Sequence, residues 1–183
     1  MVVLIKKCLM LFVCTVVISS CEKLFPPDEL TLERRDFTGT QLRLDGYYYH
    51  EYATDDIYYQ WNVFLYRNGI TRDGSRIEKS RITELEGEYL DNSFEERTGD
   101  GKTSWGVFQI ENNTIKFEEW HRGQGRSPET GATNGVIIND TTFLLTSAFK
   151  YINGKEEQIS LLNMTYHFKQ FSPKLDSINE FIK

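Results

Sequence analysis

Cysteine is scarce in this chain, and what there is lies at one end. The 183 residues include three cysteines, Cys8, Cys14 and Cys21, and none follows the last of these. The chain beyond Cys21 therefore cannot form an internal disulfide bond or supply thiolate ligands to a metal. It also lacks the G-x-S-x-G nucleophile motif and the glycine spacing of phosphate-binding loops. We predict no enzyme of these common classes, no catalytic residues and no cofactor.

Positive charge is also in short supply. The chain has 21 lysines and arginines against 27 aspartates and glutamates, which gives a formal net charge of −6. Nucleic-acid binding requires clustered positive charge, so we expect no nucleic-acid partner.

Histidine is nearly as rare, with His50, His121 and His167 as the three examples. His50 lies near the carboxylates Glu51, Asp55 and Asp56, but no second histidine lies at ligand spacing. Neighbouring residues of a strand point to opposite faces, so His50 and Glu51 would diverge. We therefore predict no metal site.

The one long apolar run is too short to cross a membrane with confidence. It extends from residue 8 to residue 18, follows Lys6 and Lys7, and precedes Ser19 and Ser20. A spanning helix needs about 20 apolar residues. A short basic patch, a brief apolar run and small residues are typical of a secretory signal. We predict a signal peptide over residues 1–20, with a buried helix or a membrane anchor as the alternative.

The stretch VISSC, residues 17–21, resembles the lipobox of bacterial lipoproteins, with Ile18 where leucine is commonest. The resemblance implies cleavage before Cys21 and acylation of its thiol, for example with palmitate, so that the partner is a lipid bilayer. Each buried methylene contributes about 0.8 kcal/mol, so several acyl chains anchor a protein stably. We predict a tether over residues 21–40, stiffened by Pro26 and Pro27. The expected location is the cell envelope, at the outer membrane, on either face.

Most of the remaining chain shows the two-residue alternation of β-strands. Two sets of apolar and aromatic side chains each share one face; they are Leu42, Leu44, Gly46, Tyr48, His50 and Tyr52, and Ile57, Tyr59, Trp61, Val63 and Leu65. Aromatic and β-branched residues favour strands. We therefore predict strands along both stretches.

Three dipeptides predict hairpin turns. Asn68-Gly69 is typical of a type I′ turn. A turn at Asn112-Asn113 would pair residues whose numbers sum to 225. Phe108 would then lie opposite Phe117, and Ile110 opposite Ile115, so that apolar side chains face one another. A turn at Asn153-Gly154 would pair residues that sum to 307. That register sets Phe143 opposite Met164, and Lys150 opposite Glu157 on the other face.

Two segments depart from the strand pattern. Ile77, Ile82, Leu85 and Tyr89 are spaced as one face of a helix, so we predict a helix near residues 77–90. The tail over residues 172–183 is predicted as a short helix or an irregular segment. We expect the helix and the tail to cover the apolar outer face that carries Leu144, Ile159 and Leu161, because long exposed apolar patches are unusual.

The stretches LDGYYY, SWGVFQIENNTIKFEEW and NGVIINDTTFLL resemble those of small lipocalin-like lipoproteins of Bacteroidetes-type bacteria. Tyr48 stands where lipocalins place a tryptophan. The resemblance and the succession of hairpins together imply an all-β fold over residues 41–171, an antiparallel up-and-down meander that closes as a lipocalin-like barrel. An eight-stranded barrel has room for side chains or for one small ligand.

Five residues are the candidates for binding such a ligand. Tyr48, Tyr59 and Trp61 are aromatic side chains on inward faces, and Glu119 with His121 would form a polar mouth. The alternative is that the aromatic rings simply fill the core and that the strand end turns Glu119 and His121 to water. We also interpret residues 121–135 as a flexible loop, either a lid or plain solvated chain.

These features leave two functions open. The first is a binding protein for a small apolar or amphipathic molecule, and the second is a structural lipoprotein with a filled barrel that docks an envelope protein. The segments Asp140-Thr141-Thr142 and Asp176-Ser177-Ile178 also resemble acceptors for O-glycosylation in these bacteria.

Overall fold

Eight antiparallel strands close into a barrel in chain order, each strand paired with the next and β8 with β1. The computed structural model describes residues 29–98, 101–122, 128–152 and 155–183, without the side chains of 151, 152 and 155–159. The strands are β1 Gly46–Thr54, β2 Ile57–Leu65, β3 Ile70–Glu78, β4 Trp105–Glu111, β5 Thr114–Arg122, β6 Pro128–Asn139, β7 Thr142–Ile152 and β8 Lys155–Gln170. Two short helices, α1 Ile82–Asp91 and α2 Ser93–Thr98, lie between β3 and β4. The predicted meander barrel with one helical insertion is confirmed.

The turn at Asn112-Asn113 is confirmed, whereas the type I′ turn at Asn68-Gly69 is wrong. Phe108 pairs with Phe117, as the 225 register requires. A type I′ turn needs positive φ at both central residues, but only Gly69 has it, at 77°. The backbone N–H of Tyr66 donates to the carbonyl of residue 70, which closes a three-residue loop instead.

The register of β7 with β8 is correct only near its turn. Lys150 pairs with Glu157 as predicted, but Phe143 pairs with Tyr166 rather than with Met164. Bulges between residues 148 and 149 and between 145 and 147 shift the partners by two positions in all. A bulge also reverses the faces of the residues beyond it. Lys150 therefore lies on the inner face, whereas a register without bulges predicts the outer face. The turn residues 153 and 154 lie outside the described residues.

The helix begins later than the sequence pattern indicates. Ile77 belongs to β3, which pairs with β2 as far as Glu78, and α1 starts only at Ile82. Pairing with a neighbouring strand outweighs the local helical spacing here. The C-terminal residues 172–183 form an irregular tail rather than a helix. Leu175 and Ile182 are buried, while Ile178 is 80% exposed.

The lower half of the barrel is solid. We use lower for the end that carries the 112–113 and 140–141 turns, and upper for the opposite end. The side chains that fill it form one cluster, the lower core: Phe37, Leu42, Tyr48, Val63, Leu65, Phe108, Ile115, Phe117, Ile137, Phe143, Leu145 and Tyr166. The Tyr48 hydroxyl donates to the carbonyls of Arg43 and Asp140, which fixes the segment before β1 across this end. Nothing larger than side chains fits where these rings pack.

A second cluster, the outer layer, packs against the outside of β1 to β5. It contains residues of both helices, of the tail and of the strands beneath them: Tyr47, Phe64, Tyr66, Ile70, Leu85, Tyr89, Phe94, Trp105, Val107, Trp120, Leu175 and Ile182. Arg72 ties these parts together, because its guanidinium donates to Glu95 of α2 at 3.0 Å and to the Asp176 carbonyl at 2.9 Å.

The helices and the tail therefore do not cover the outer face of β6 to β8, contrary to the expectation from sequence. Leu161 on that face is 81% exposed and Ile138 is 60% exposed. The physical reason is that the helical insertion leaves the barrel between β3 and β4 and packs on the wall beside it.

The part of the predicted tether that the structure describes lies bound to the barrel. The backbone N–H groups of Thr31 and Leu32 donate to the carboxylate of Glu118, which is fully buried on the outer face of β5. Leu30 and Leu32 pack against the outer layer. A free tether is thus confined to residues before Glu29, which lie outside the described part.

Candidate functional site

The upper half of the barrel differs from the lower half because its inward-facing side chains are only partly buried. Strand alternation and pairing put Tyr52, Tyr59, Trp61, Asp73 and Glu119 on the inner face. Each keeps intermediate or greater exposure, whereas the inward-facing rings of the lower core are buried. Solvent therefore reaches the inner wall from the upper end. We call the space that these five residues line the upper chamber.

Aromatic rings form one wall of the upper chamber. Tyr59 stacks on Tyr52 with ring centroids 5.6 Å apart, and Tyr52 stacks on His50 at 6.0 Å. The ladder continues from His50 to Tyr166 at 5.5 Å. Tyr166 in turn stacks on Phe143 of the lower core, at 5.0 Å and 8°. This stacked pair is the floor that separates the upper chamber from the solid half.

Two carboxyl groups also face the upper chamber, Asp73 on β3 and Glu119 on β5. Trp61 Nε1 donates to Asp73 Oδ1 at 2.9 Å, and the backbone N–H of Ser75 donates to the same oxygen at 2.8 Å. Glu119 has a single weak contact, from the Thr71 hydroxyl at 3.4 Å. Within the described residues, no lysine or arginine forms an ion pair with either carboxylate.

Both carboxyl groups have a raised pKa, mainly because they are buried. Burial and the charge of Asp73 raise the pKa of Glu119 against the opposing Thr71 hydrogen bond, and the result is about 7. Burial also raises the pKa of Asp73, against the hydrogen bonds from Trp61 and Ser75 and the charge of Arg76. A group that enters with a positive charge would relieve this cost, because an opposite charge favours the ionised carboxylate.

Glycines flank Glu119 on both neighbouring strands. Glu119 pairs with Gly106 of β4 and with Gly131 of β6, so neither neighbour sends a side chain into the barrel beside it. A Cβ placed on Gly106 would lie 2.5 Å from Glu119 Cγ. The Glu119 side chain therefore occupies the space that the absent side chain of Gly106 leaves on the inner wall.

The rim above Glu119 carries paired charges. His121 is exposed at the end of β5, and its ring lies over Gly131, with Nε2 3.1 Å from the position of a Cβ there. Lys150 lies on the same inner face and forms a 2.5 Å ion pair with Glu129. The inward-facing lysine of this rim is thus already neutralised.

The five predicted site residues fall at three depths. Tyr48 belongs to the lower core, Tyr59, Trp61 and Glu119 line the upper chamber, and His121 stands at its rim. The structure brings Trp61 and Glu119 together through Asp73, which hydrogen-bonds the indole and acts electrostatically on the glutamate.

Sequence reasoning missed Asp73 and Tyr166. No strand is predicted directly after Gly69, and a two-residue turn at 68–69 would set Asp73 opposite Phe64 on the outer face. The three-residue loop instead sets Asp73 opposite Val63 on the inner face. A register that sums to 307 pairs Tyr166 with residue 141, and only the bulged register places it over Phe143. No local signal locates the loop type or the bulges.

His50 has a structural partner of its own. Pairing of β1 with β8 stops at Tyr49 with His167, and above this point a surface cleft opens between the strands. His50 Nδ1 bridges the gap with a 2.9 Å hydrogen bond to the Thr165 carbonyl. No group of three or more potential metal ligands occurs within the described residues. Neither described helix is long and apolar enough to span a membrane.

The interpretation of residues 121–135 as a loop is wrong for most of its length. Residues 128–135 belong to β6, which pairs with β5 from Pro128 opposite Arg122 onward. Arg126 and its neighbours at 123–127 lie outside the described residues. The Thr141 hydroxyl donates to Asn139 at 2.9 Å, and the Ser177 hydroxyl accepts from Asn68 at 3.3 Å. O-glycosylation at these two residues stays a prediction.

Comparison of the chain with models of protein families, with curated proteins and with solved structures finds no match in any of the three.

Proposed function

We propose that this protein is a lipid-anchored binding protein of the bacterial cell envelope, held at the outer membrane through Cys21, and that it carries one small amphipathic molecule in the upper chamber. The observation that supports binding is the contrast between the two halves of the barrel. The lower half is packed with rings, whereas Tyr59, Trp61 and Glu119 face inward and stay partly exposed.

The lining matches what small-molecule sites require. Such sites are concave and largely apolar, with a few polar groups that fix orientation. The aromatic ladder supplies the apolar wall, and Asp73 and Glu119 supply the polar groups. A site of this kind favours a ligand with a planar or apolar body and one polar end.

Native mass spectrometry tests the binding proposal. The chain from Glu22 onward keeps every described residue, and it would be purified gently from a host of the same kind. We expect a reproducible extra mass that is released on denaturation. A Tyr59→Ala variant should lose that mass, while Leu161→Ala on the outer face should retain it. An extra mass that both variants retain would contradict a site in the upper chamber.

Lipid anchoring has a separate test in the full-length chain. Metabolic labelling with palmitate should label the protein in membranes, and Cys21→Ser should abolish the label and release the protein from them. A Cys14→Ser control should have no effect, because the predicted cleavage removes that residue.

A second candidate function is docking of an envelope protein. The observation that favours it is the uncovered outer face of β6 to β8, where Val136, Ile138 and Leu161 are exposed. Crosslinking in cells from this face, compared with crosslinking from the helical face, distinguishes the two functions. A single specific partner that requires Ile138 and Leu161, with no bound small molecule, would support docking.

A further inference from the structure

We propose that the molecule held in the upper chamber is a small cation, an amine carried on an aromatic or short apolar body. This inference rests on the proposed binding function and names the chemical class of its ligand.

The first argument is the unbalanced negative charge of the inner wall. The charge of Asp73 raises the pKa of Glu119. Within the described residues neither carboxylate has an ion-pair partner, and the exposed Arg76 acts on Asp73 only through its charge. The nearest inward-facing lysine, Lys150, is already bound to Glu129. An ammonium group between the two carboxylates would supply the missing positive charge.

The second argument is the set of aromatic rings that face the same space as the carboxyl groups. The rings of Tyr59, Tyr52 and His50 follow one another at spacings of 5.6 and 6.0 Å, and Trp61 meets Tyr166 at 6.5 Å. Electron-rich ring faces attract cations within about 6 Å of the centroid and also stack on planar apolar bodies. Tyrosine and tryptophan rings together with carboxylates are the two kinds of group that recognise an organic ammonium.

The third argument is that solvent reaches the inner wall around the carboxyl groups. Gly106 and Gly131 flank Glu119 on both sides, and Trp61, Asp73 and Glu119 are all partly exposed to the inside. The stacked pair Phe143 and Tyr166 closes the floor, so an occupant enters from the upper end. These three observations are independent of one another and converge on the same space.

An anionic ligand such as a fatty acid fits this wall poorly. Its carboxylate would lie beside two acidic side chains, and like charges at short distance repel. Such a ligand could bind only with Asp73 or Glu119 protonated, so its affinity would increase as the pH falls. A cation shows the opposite dependence, because it requires the ionised carboxylates.

The experiment uses three indoles that differ only in their terminal group. Tryptamine is a cation, tryptophol is neutral and indole-3-propionate is an anion at pH 7.5. Calorimetric titration would be carried out on the chain from Glu22 onward, on Glu119→Gln and Asp73→Asn, and on Glu84→Gln as the control. Glu84 is an exposed carboxylate of α1, paired with Arg81 on the surface. The Asp73→Asn change keeps an acceptor for Trp61 and Ser75, so the wall should stay folded.

We expect tryptamine to bind at least about tenfold more tightly than tryptophol, and indole-3-propionate to bind more weakly still. Glu119→Gln and Asp73→Asn should each lower the tryptamine affinity by about tenfold or more and leave the tryptophol affinity within about twofold. Glu84→Gln should change neither affinity. Circular dichroism of each variant confirms that the barrel is intact.

The pH dependence gives a second readout. Lowering the pH from 8 to 5 protonates Glu119, so the tryptamine affinity should fall while the tryptophol affinity stays nearly constant. Other titratable or charged groups face this space from the neighbouring strands: His50 on β1, Asp73 and Arg76 on β3, His121 on β5, Glu129 on β6, Lys150 on β7 and Tyr166 on β8. Loss of the pH dependence in Glu119→Gln would assign it to this residue among them.

Three other outcomes would overturn the inference. Equal binding of all three indoles would leave the proposed binding function standing and reject the cation. Preference for indole-3-propionate at low pH would assign an acid as the ligand class. No binding of any indole, together with no binding of the neutral apolar probe N-phenyl-1-naphthylamine, would reject the binding function as well.

Discussion

Glu118 and Glu119 are neighbours in the chain with opposite surroundings. The first points outward and accepts hydrogen bonds from the backbone of Thr31 and Leu32, and the second points into the barrel, where one weak contact from Thr71 supports it. Strand alternation sends adjacent side chains to opposite faces. Glu118 therefore stabilises the fold, whereas Glu119 lines the proposed binding site.

The inward glutamate should weaken the fold at neutral pH. The pKa of Glu119 is about 7 in the folded barrel and ordinary, near 4.5, when the chain unfolds. Between these values the folded state binds more protons, so its contribution to stability is greatest below pH 4.5 and is lost as the pH rises to 7. Glu119→Gln should therefore raise the free energy of unfolding by about 1 to 3 kcal/mol at pH 8, with little change at pH 4.

Urea denaturation at pH 4, 6 and 8 measures this effect. Glu84→Gln serves as the matched control, because that carboxylate is exposed and its pKa is lowered by Arg81. An equal effect of Glu119→Gln at all three pH values would contradict the raised pKa.

The outward glutamate should be required for stability. Glu118→Ala would remove the fully buried carboxylate that accepts from the backbone N–H groups of Thr31 and Leu32. Each such loss costs about 1 to 3 kcal/mol, so we expect a total cost of about 2 to 4 kcal/mol. Urea denaturation followed by tryptophan fluorescence checks this value. Glu111→Ala, an exposed residue at the end of β4, should change stability by less than about 0.5 kcal/mol.

At the scale of elements, the helical insertion acts as a cover for the outside of the barrel. Leu85 and Tyr89 of α1 are buried against the sheet, and Asn92 ends the helix with a left-handed φ of 64°. The Tyr89 hydroxyl donates to the Gly74 carbonyl and accepts from Asn62 Nδ2. The helix is thus fixed to β2 and β3 through this hydroxyl, and to β1 and β8 through Glu86, which accepts from the Tyr47 hydroxyl and forms an ion pair with Lys169.

Removal of the Tyr89 hydroxyl should weaken the attachment of α1 to the barrel. Tyr89→Phe leaves buried polar groups of Asn62 and Gly74 with one partner fewer, which we expect to cost about 1 to 3 kcal/mol of unfolding free energy. Leu90→Ala is the control on the same helix, because Leu90 is 52% exposed. Hydrogen exchange should increase in α1 for the first variant and not for the second. Equal exchange in both would show that the hydroxyl does not fix the helix.

At the scale of the whole molecule, the barrel combines a solid half with an open half. Phe143 is fully buried between Tyr48, Phe117 and Tyr166. Tyr59 faces inward too, but among the described residues only Tyr52 lies against its ring at stacking distance. The lower half therefore carries most of the packing energy, and the proposed binding site lies in the more open upper half.

Truncation of one ring in each half tests this division. Phe143→Ala should cost about 3 to 5 kcal/mol of unfolding free energy, as large buried rings do. Tyr59→Ala should cost less than about 1.5 kcal/mol, because solvent already reaches that ring. Chemical denaturation of the two variants gives the comparison. Similar costs for both would indicate a barrel filled throughout and would favour the docking function.

The sequence by itself determined most of the strands and their faces, apart from β3 and the first part of β6, and the turn at Asn112-Asn113. Side-chain alternation is a local property with a period of two residues, so the pattern alone predicts that Trp61, Phe117 and Glu119 face inward. The same logic failed at Lys150, because a bulge shifts the period and depends on the neighbouring strands rather than on the chain itself.

Only the tertiary structure decided what surrounds those faces. Asp73 and Glu119 are 46 positions apart, and closure of β3 onto β4 and β5 brings them to one side of the barrel. The binding of residues 29–33 over Glu118 and the uncovered face of β6 to β8 likewise depend on where the helices and the tail pack. Long-range packing follows from shape and burial over the whole barrel, and no local pattern encodes it.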